Sequence, residues 1–310
     1  AWVRASSAKG PPPSTSLLVH SVMDTTAIKH YLPAVRGFLD YAREHDMEVG
    51  GRGLDDSLAA YLCHMCYEKD MHPGNGDKLV HGIRYLWPDK ASGLPLSVRS
   101  LLGWHRIHIH GEGGPMPKEV IACIAEWMRE HDQSEEALLV ELAFDCYLRT
   151  GEAFALRQSD VVISRDKGST RAALRIGVAE RGESSKTGMR QGVIVDADWL
   201  THVLADRSKT NDGTKRSGEQ PLIRTSPVKF RQAWHDALSA LRLEYTPPHT
   251  LRHSGPSEDL ASGYRTFLQV QRRGRWSSDK SVLRYAKTHT LCEAAARSPP
   301  ELISRGRVIF

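Results

Sequence analysis

Seven residues in the second half of this 310-residue chain, Arg149, Glu152, Lys186, His249, Arg252, Trp276 and Tyr285, include the group types needed to cut a phosphodiester with a tyrosine. A phosphodiester under attack gathers negative charge on its non-bridging oxygens, and guanidiniums, permanently charged and forked, are suited to hold it. Arg149 and Arg252 fit that clamp. A tyrosine hydroxyl, with a pKa of about 10, needs a base and nearby positive charge before it attacks at neutral pH. His249, three residues before Arg252, is the candidate base, and Tyr285, nine after Trp276, the candidate nucleophile. The departing 5′ oxygen needs a proton from the opposite side. Lys186 is the candidate acid, and with these cations in place the chemistry calls for no metal and no other cofactor.

The elements that must position these residues follow from hydrophobic period. Thr25–His45, with Ile28, Tyr31, Leu32, Val35, Phe38, Leu39 and Ala42 on one face, predicts a helix, and Asp55–Lys69, Asp77–Leu86 and Leu96–His110 predict three more. Gly111-Glu-Gly-Gly-Pro115 marks a linker. The expected organisation is a flexible Ser/Pro/Gly-rich lead-in at 1–16, a helical unit at 17–112, a linker at 113–117 and a second unit at 118–310. The second unit opens with helices at Lys118–Glu130 and Gln133–Leu148. Strands follow near 161–163, 171–178 and 192–195, then helices near 197–208, 227–242, 249–262, 265–272 and 278–286. The fold class is mainly α with a small antiparallel β-sheet.

Each chemical residue also has a plain structural reading. Arg149 and Glu152 could be a helix surface pair one turn apart. Lys186, between two short strands, could be a solvated turn residue, with Lys167 its rival for any catalytic role. His249 and Arg252, after Pro247-Pro248, could serve a helix start. Trp276 and Tyr285 could be core aromatics.

The set as a whole resembles the tyrosine recombinases, the phage-integrase family of DNA breaking and rejoining enzymes. Tyr147-Leu-Arg149-Thr-Gly-Glu152-Ala-Phe-Ala-Leu156-Arg-Gln-Ser-Asp160 is similar to the first arginine box of that family. His249-Thr-Leu-Arg252-His253-Ser-Gly255 resembles the second, and Gly274-Arg-Trp276-Ser-Ser-Asp-Lys-Ser-Val-Leu-Arg-Tyr285 the last. The resemblance implies an N-terminal helical core-binding domain and an α+β catalytic domain that clasp opposite faces of double-stranded DNA. It places the catalytic lysine on a β-hairpin between the boxes, which favours Lys186. Glu152 would orient Arg149, His253 would support the site, and Trp276 would pack against the phosphate.

Two departures stand out. Thr150-Gly151 follows the first arginine where the family has an apolar residue, and a glycine costs a helix about 1 kcal/mol relative to alanine. Gly255-Pro256 follows the second, which predicts a delayed or kinked helix behind Arg252.

The activity the resemblance implies is site-specific recombination or integration through a 3′-phosphotyrosyl intermediate, for a mobile element and its transposition. A monomeric or dimeric free protein would assemble into a tetramer on synapsed DNA, with Leu291–Arg297 and Val308–Phe310 as a tail that packs on a neighbour. The alternatives are a type IB topoisomerase-like relaxase, or a domesticated DNA-binding protein with an inactive site.

Charge and cysteine usage agree with a DNA-associated protein inside the cell, in a nucleoid or a nucleus. Residues 1–117 carry 12 Lys+Arg and 12 Asp+Glu, so the formal net charge of +5 lies wholly in 118–310. The densest run, Arg272-Arg273-Gly274-Arg275, is expected to line DNA, as are Arg84, Lys90, Arg99 and Arg106 in the first unit. Nine of the fifteen histidines precede residue 111, so the first unit gains charge below about pH 6.5. Five cysteines form no secreted framework. Cys63-His-Met-Cys66 has zinc-knuckle spacing without a second pair, and its helical context predicts packing. No run of about 18 apolar residues suggests a membrane span.

Overall fold

A computed structural model describes residues 25–51, 53–90, 93–108, 113–166, 169–178, 191–207 and 220–309. Its internal contacts divide into two compact units, Ala1–Gly111 and Glu112–Phe310.

Among the described residues the first unit has four helices: α1 (Thr25–Glu44), α2 (Gly53–Tyr67), α3 (Gly74–Leu86) and α4 (Pro95–Ile107). Val35 and Phe38 of α1 meet Leu58 and Leu62 of α2, Leu79 and Ile83 of α3, and Leu101 and Trp104 of α4 in one buried core. The start of α4 is capped from α2. The Asp55 carboxylate accepts the backbone N–H groups of Leu96 at 2.8 Å and Ser97 at 2.9 Å, donors that a helix cannot satisfy by itself. Cys63 and Cys66 lie on α2, the first exposed and the second at the edge of the core. Among the described residues no cluster of three or more His, Cys, Asp or Glu side chains is arranged to hold a metal ion. No described helix is long and apolar enough to cross a membrane.

The second unit begins with α5 (Lys118–Glu130), α6 (Ser134–Asp145) and the short α7 (Thr150–Ala155). Strands β1 (Val161–Asp166), β2 (Ser169–Ile176) and β3 (Gln191–Ile194) follow, then α8 (Asp198–Arg207), α9 (Pro227–Ala240), α10 (Leu251–Ala261), α11 (Phe267–Gly274), α12 (Asp279–Tyr285), α13 (Thr288–Arg297) and α14 (Pro300–Ile309). The sheet is antiparallel in the order β1-β2-β3, with Val161 opposite Leu174 and Leu174 opposite Val193. Strand alternation buries Ala172, Leu174 and Ile176 of β2 against the helical core, which includes Ile124, Leu139, Leu204 and Trp234. The mainly helical architecture with one small antiparallel sheet is the class the sequence predicts.

Two elements differ from expectation. The helix predicted through Leu148 ends at Asp145, because Tyr147 takes a left-handed backbone with φ of 52°. Gly255-Pro256 neither delays nor ends α10, which runs through both. At the C-terminal end α14 lies along α5, while Val308 of the expected tail is exposed. Leu302 is buried there, and Arg305 pairs with Glu126 at 2.7 Å and Glu130 at 3.0 Å. A Cβ at Gly306 would fall inside contact distance of the Glu119 carbonyl, so the two helix backbones touch. Gly306→Ala is therefore expected to destabilise the protein by about 1–3 kcal/mol, read as a lower urea midpoint at unchanged slope.

Glu141 of α6 gives the fold a pH dependence. Burial pushes its carboxyl up from 4.5 to about 7 although the paired Arg129 pulls it down. The folded chain then holds a proton that the unfolded chain has released between those values, so the contribution of this group to stability is greatest at the acid end and is lost as pH rises through about 7. Glu141→Gln is expected to flatten this slope, gaining on the order of 1–3 kcal/mol over the parent at pH 8 relative to pH 5 in urea titrations.

Candidate active site

The site is assembled from three places where the chain changes direction. The first is the break between α6 and α7. The left-handed Tyr147 turns the chain, a conformation uncommon for an aromatic residue. Its ring is buried, its hydroxyl donates to Asp259, and the Arg273 guanidinium lies 5.3 Å over its face. Arg149 follows in extended conformation as the residue that caps α7. Glu152, at the third position of that helix, reaches back to accept the Arg149 backbone N–H at 2.9 Å and its Nη1 at 2.5 Å. Glu152 is only 8% exposed, which removes the reading as a surface pair.

The second place is the start of α10, entered through a 3₁₀ turn at Pro248–Thr250. Gly255 explains how deeply α10 sits. A Cβ there would come within 2.7 Å of the Tyr147 ring, so the glycine lets α10 press on the α6–α7 break. Arg252, one turn earlier, is completely buried. It donates from Nη1 to the Tyr147 carbonyl and from Nη2 to the Gly274 carbonyl at 2.9 Å. Pro256, which lacks an N–H, is tolerated within the helix and displaces neither bond.

The third place lies between α11 and α12. Gly274 ends α11, Arg275 takes a left-handed backbone at φ 59°, and the Trp276 ring folds back over Gly274, where any Cβ would overlap the indole. Tyr285 is the last residue of α12. Its backbone is pinned to α10 by Ser257, whose hydroxyl donates to the Tyr285 carbonyl at 3.2 Å and accepts the Lys287 N–H at 2.8 Å.

Together these turns bring six of the seven predicted residues into one cluster. The Tyr285 ring stacks on Trp276 with centroids 5.0 Å apart and lies 5.8 Å from His249 and 4.7 Å from His253. The Arg252 guanidinium sits 5.1 Å from the Trp276 ring and 5.4 Å from the Tyr285 ring. Burial raises the Glu152 carboxyl, but Arg275, Arg252 and Arg149 outweigh it and hold the group below its ordinary value, so it is an anion. Burial, with Arg149 nearby, lowers Arg252 to about 10, which leaves it charged at neutral pH. The seventh residue, Lys186, lies outside the described residues, as does Lys167, so neither is placed here.

The basic run divides. Arg272 is exposed. Arg273 and Arg275, expected to line DNA, instead point into the protein. Arg273 is tied to Asp145 at 3.2 Å and Asp196 at 2.7 Å, and Arg275 to Glu152 at 2.6 Å. Their carboxylate partners make this possible, since a charge buried without one would be costly. In the first unit Arg99 and Arg106 are exposed on α4, Arg84 is half-buried on α3, and the Lys90 side chain lies outside the described residues. The sequence assigns no role to Ser257 or to the Tyr147 side chain, and assigns Arg275 only a DNA-lining one; the signal for more is its place between Gly274 and Trp276.

No family model and no curated protein matches the sequence. Solved structures do match. A lambda integrase dimer bound to a COC′ core site aligns with a TM-score of 0.56 at 16% identity, over 88% of this chain and 92% of that one. The Tn1549 transposon integrase in complex with transposon right end DNA aligns at 0.54 and 11% identity, over 89% and 94%. The chain therefore has the tyrosine-recombinase fold.

Proposed function

We propose that this protein is a tyrosine recombinase, a metal- and ATP-independent DNA strand transferase of a mobile element. The observation that carries the reading is the convergence of Arg149, Arg252, His249 and Trp276, from separate segments, around one buried carboxylate and the Tyr285 ring. Arg149 and Arg252 hold the scissile phosphate, and Glu152 keeps both guanidiniums aimed. His249 takes the Tyr285 proton as the phenolate oxygen bonds to phosphorus. The P–O bond to the 5′ oxygen breaks, and Lys186 supplies the proton that oxygen needs. The products are a 3′-phosphotyrosyl link and a free 5′-hydroxyl. The hydroxyl of a partner duplex reverses the step, so bond energy is retained in the covalent intermediate. His253, packed on Tyr285, limits the swing of the ring.

The test is a nicked suicide duplex built from the DNA that flanks the protein's own gene. A trapped covalent adduct supports the reading, and its absence across such duplexes would leave a DNA-binding protein with an inactive site. Joining of two duplexes separates a recombinase from a topoisomerase-like relaxase.

The units at 17–112 and 118–310 are proposed to grip the duplex from opposite faces. Arg99 and Arg106, one heptad apart on α4, share one face of that helix, with the exposed Leu102 between them. Charge reversal of both, Arg99→Glu with Arg106→Glu, is expected to weaken DNA binding across all sequences. The slope of log affinity against log salt should shrink by about 2, since each phosphate contact contributes about 0.9. An unchanged slope in a fluorescence-anisotropy titration would remove α4 from the interface.

A further inference from the structure

We infer that Arg275 is a third arginine of this site, whose charge, set beside Glu152, tunes the cluster to the charge of the transition state; this rests on the strand-transfer reading above. Glu152 is ringed by Arg149 Nη1 at 2.5 Å, Arg275 Nη2 at 2.6 Å and Arg252 Nη1 at 3.7 Å. Arg149 and Arg252 against one carboxylate leave a single surplus positive charge, which matches a phosphodiester at rest. A phosphorus carrying five oxygens bears two negative charges, and Arg275 brings the surplus of the arginine–Glu152 cluster to two, apart from Lys186, whose proton goes to the leaving oxygen. A group whose charge is needed only as the second negative charge develops speeds the chemical step without tightening ground-state binding.

The backbone and the hydrogen bonding point the same way. Helix ends usually give the left-handed position to glycine, yet here Gly274 stands one residue early and Arg275 occupies it. That conformation is disfavoured for a residue with a Cβ, and such outliers persist where the surroundings enforce them. The turn sends a side chain that is 4% exposed back to Glu152. Among the described residues Arg275 Nε and Nη1, Arg252 Nε and Trp276 Nε1 are buried with no acceptor. Buried N–H groups are nearly always satisfied, so four orphaned donors on three clustered residues fit a site that awaits an oxygen-rich anion.

The experiment uses the full chain with Arg275→Ala and Arg275→Lys. Suicide duplexes carry either a phosphodiester or a methylphosphonate at the scissile position; the latter has one fewer negative charge throughout. Arg275→Ala is expected to slow cleavage of the phosphodiester about 100-fold and of the methylphosphonate less than about fivefold, with DNA affinity within about twofold of the parent. Arg275→Lys, which keeps the charge, should recover part of the loss. Equal slowing on both substrates, or a loss of affinity as large as the loss of rate, would reduce Arg275 to a structural role and overturn the inference. So would failure of both variants to unfold cooperatively. Orthovanadate separates this from the broader reading. If the parent makes no adduct, strand transfer falls, but thermal stabilisation of the parent by vanadate, lost in Arg275→Ala and retained in Arg275→Lys, would still uphold Arg275 as part of an anion site. Absence of that stabilisation in the parent would sink both.

Discussion

Tyr285→Phe is expected to abolish the covalent protein–DNA adduct while leaving DNA affinity and stability nearly unchanged. Only a hydroxyl is removed. The ring that remains can still stack on Trp276 and lie against the Arg252 guanidinium, so the packing that supports the site survives. The change in unfolding free energy should stay within about 0.5 kcal/mol. Denaturing gel electrophoresis of the protein with a radiolabelled suicide duplex reads the adduct, and anisotropy with the intact duplex reads affinity. Persistence of the adduct would move the nucleophile elsewhere. Tyr264 is then the residue to examine, being 66% exposed with the Arg265 guanidinium 4.7 Å over its ring. Loss of adduct together with loss of affinity would mean that the hydroxyl holds DNA rather than attacks it.

The distribution of what the sequence revealed has a physical pattern. Helices with a strong apolar stripe, such as Thr25–Glu44 and Lys118–Glu130, were legible within a residue or two, because burial of one face fixes their period. The chemical residues were legible because guanidiniums, an imidazole and a phenol at these intervals have few purely structural reasons to recur. The break at Tyr147 was not legible. Nothing in Cys146-Tyr147-Leu148-Arg149 is a turn residue, and the left-handed tyrosine is imposed from outside by Asp259, Arg273 and the approach of α10. That break matters, since it releases Arg149 from α6 and lets it head α7 beside Glu152.

Gly255-Pro256 departs from expectation for a related reason. Local propensity argues against a helix there, but the glycine answers a tertiary demand, the contact of α10 with the Tyr147 ring, and the helix persists around it. The basic run Arg272–Arg275 misled in the opposite sense. Charge counting treats its members alike, whereas their positions along α11 and the turn after it send Arg272 outward and Arg273 and Arg275 to internal carboxylates. Composition records how much charge a segment has, and only the fold records where each charge points.

Lys186 is the residue whose role depends most on chemistry rather than on placement, and it carries the second large expected effect. A 5′ alkoxide is a poor leaving group, so an acid that protonates it in the transition state is worth about 10²–10⁴ in rate. Lys186→Ala should therefore slow cleavage of an ordinary phosphodiester by that factor. Replacing the bridging 5′ oxygen with sulfur makes a leaving group that departs without a proton, and the variant should then cleave within about tenfold of the parent on the same substrate. The arginines cannot produce this pattern. In the proposed site they stabilise charge on the non-bridging oxygens, which both substrates share, so Arg252→Ala should be slow on each. The contrast between the two variants on the two substrates isolates proton donation from charge stabilisation. Equal impairment of Lys186→Ala on both would remove Lys186 as the acid and send the assignment to Lys167, the other lysine of the segment between β1 and β3, to which the same pair of substrates applies.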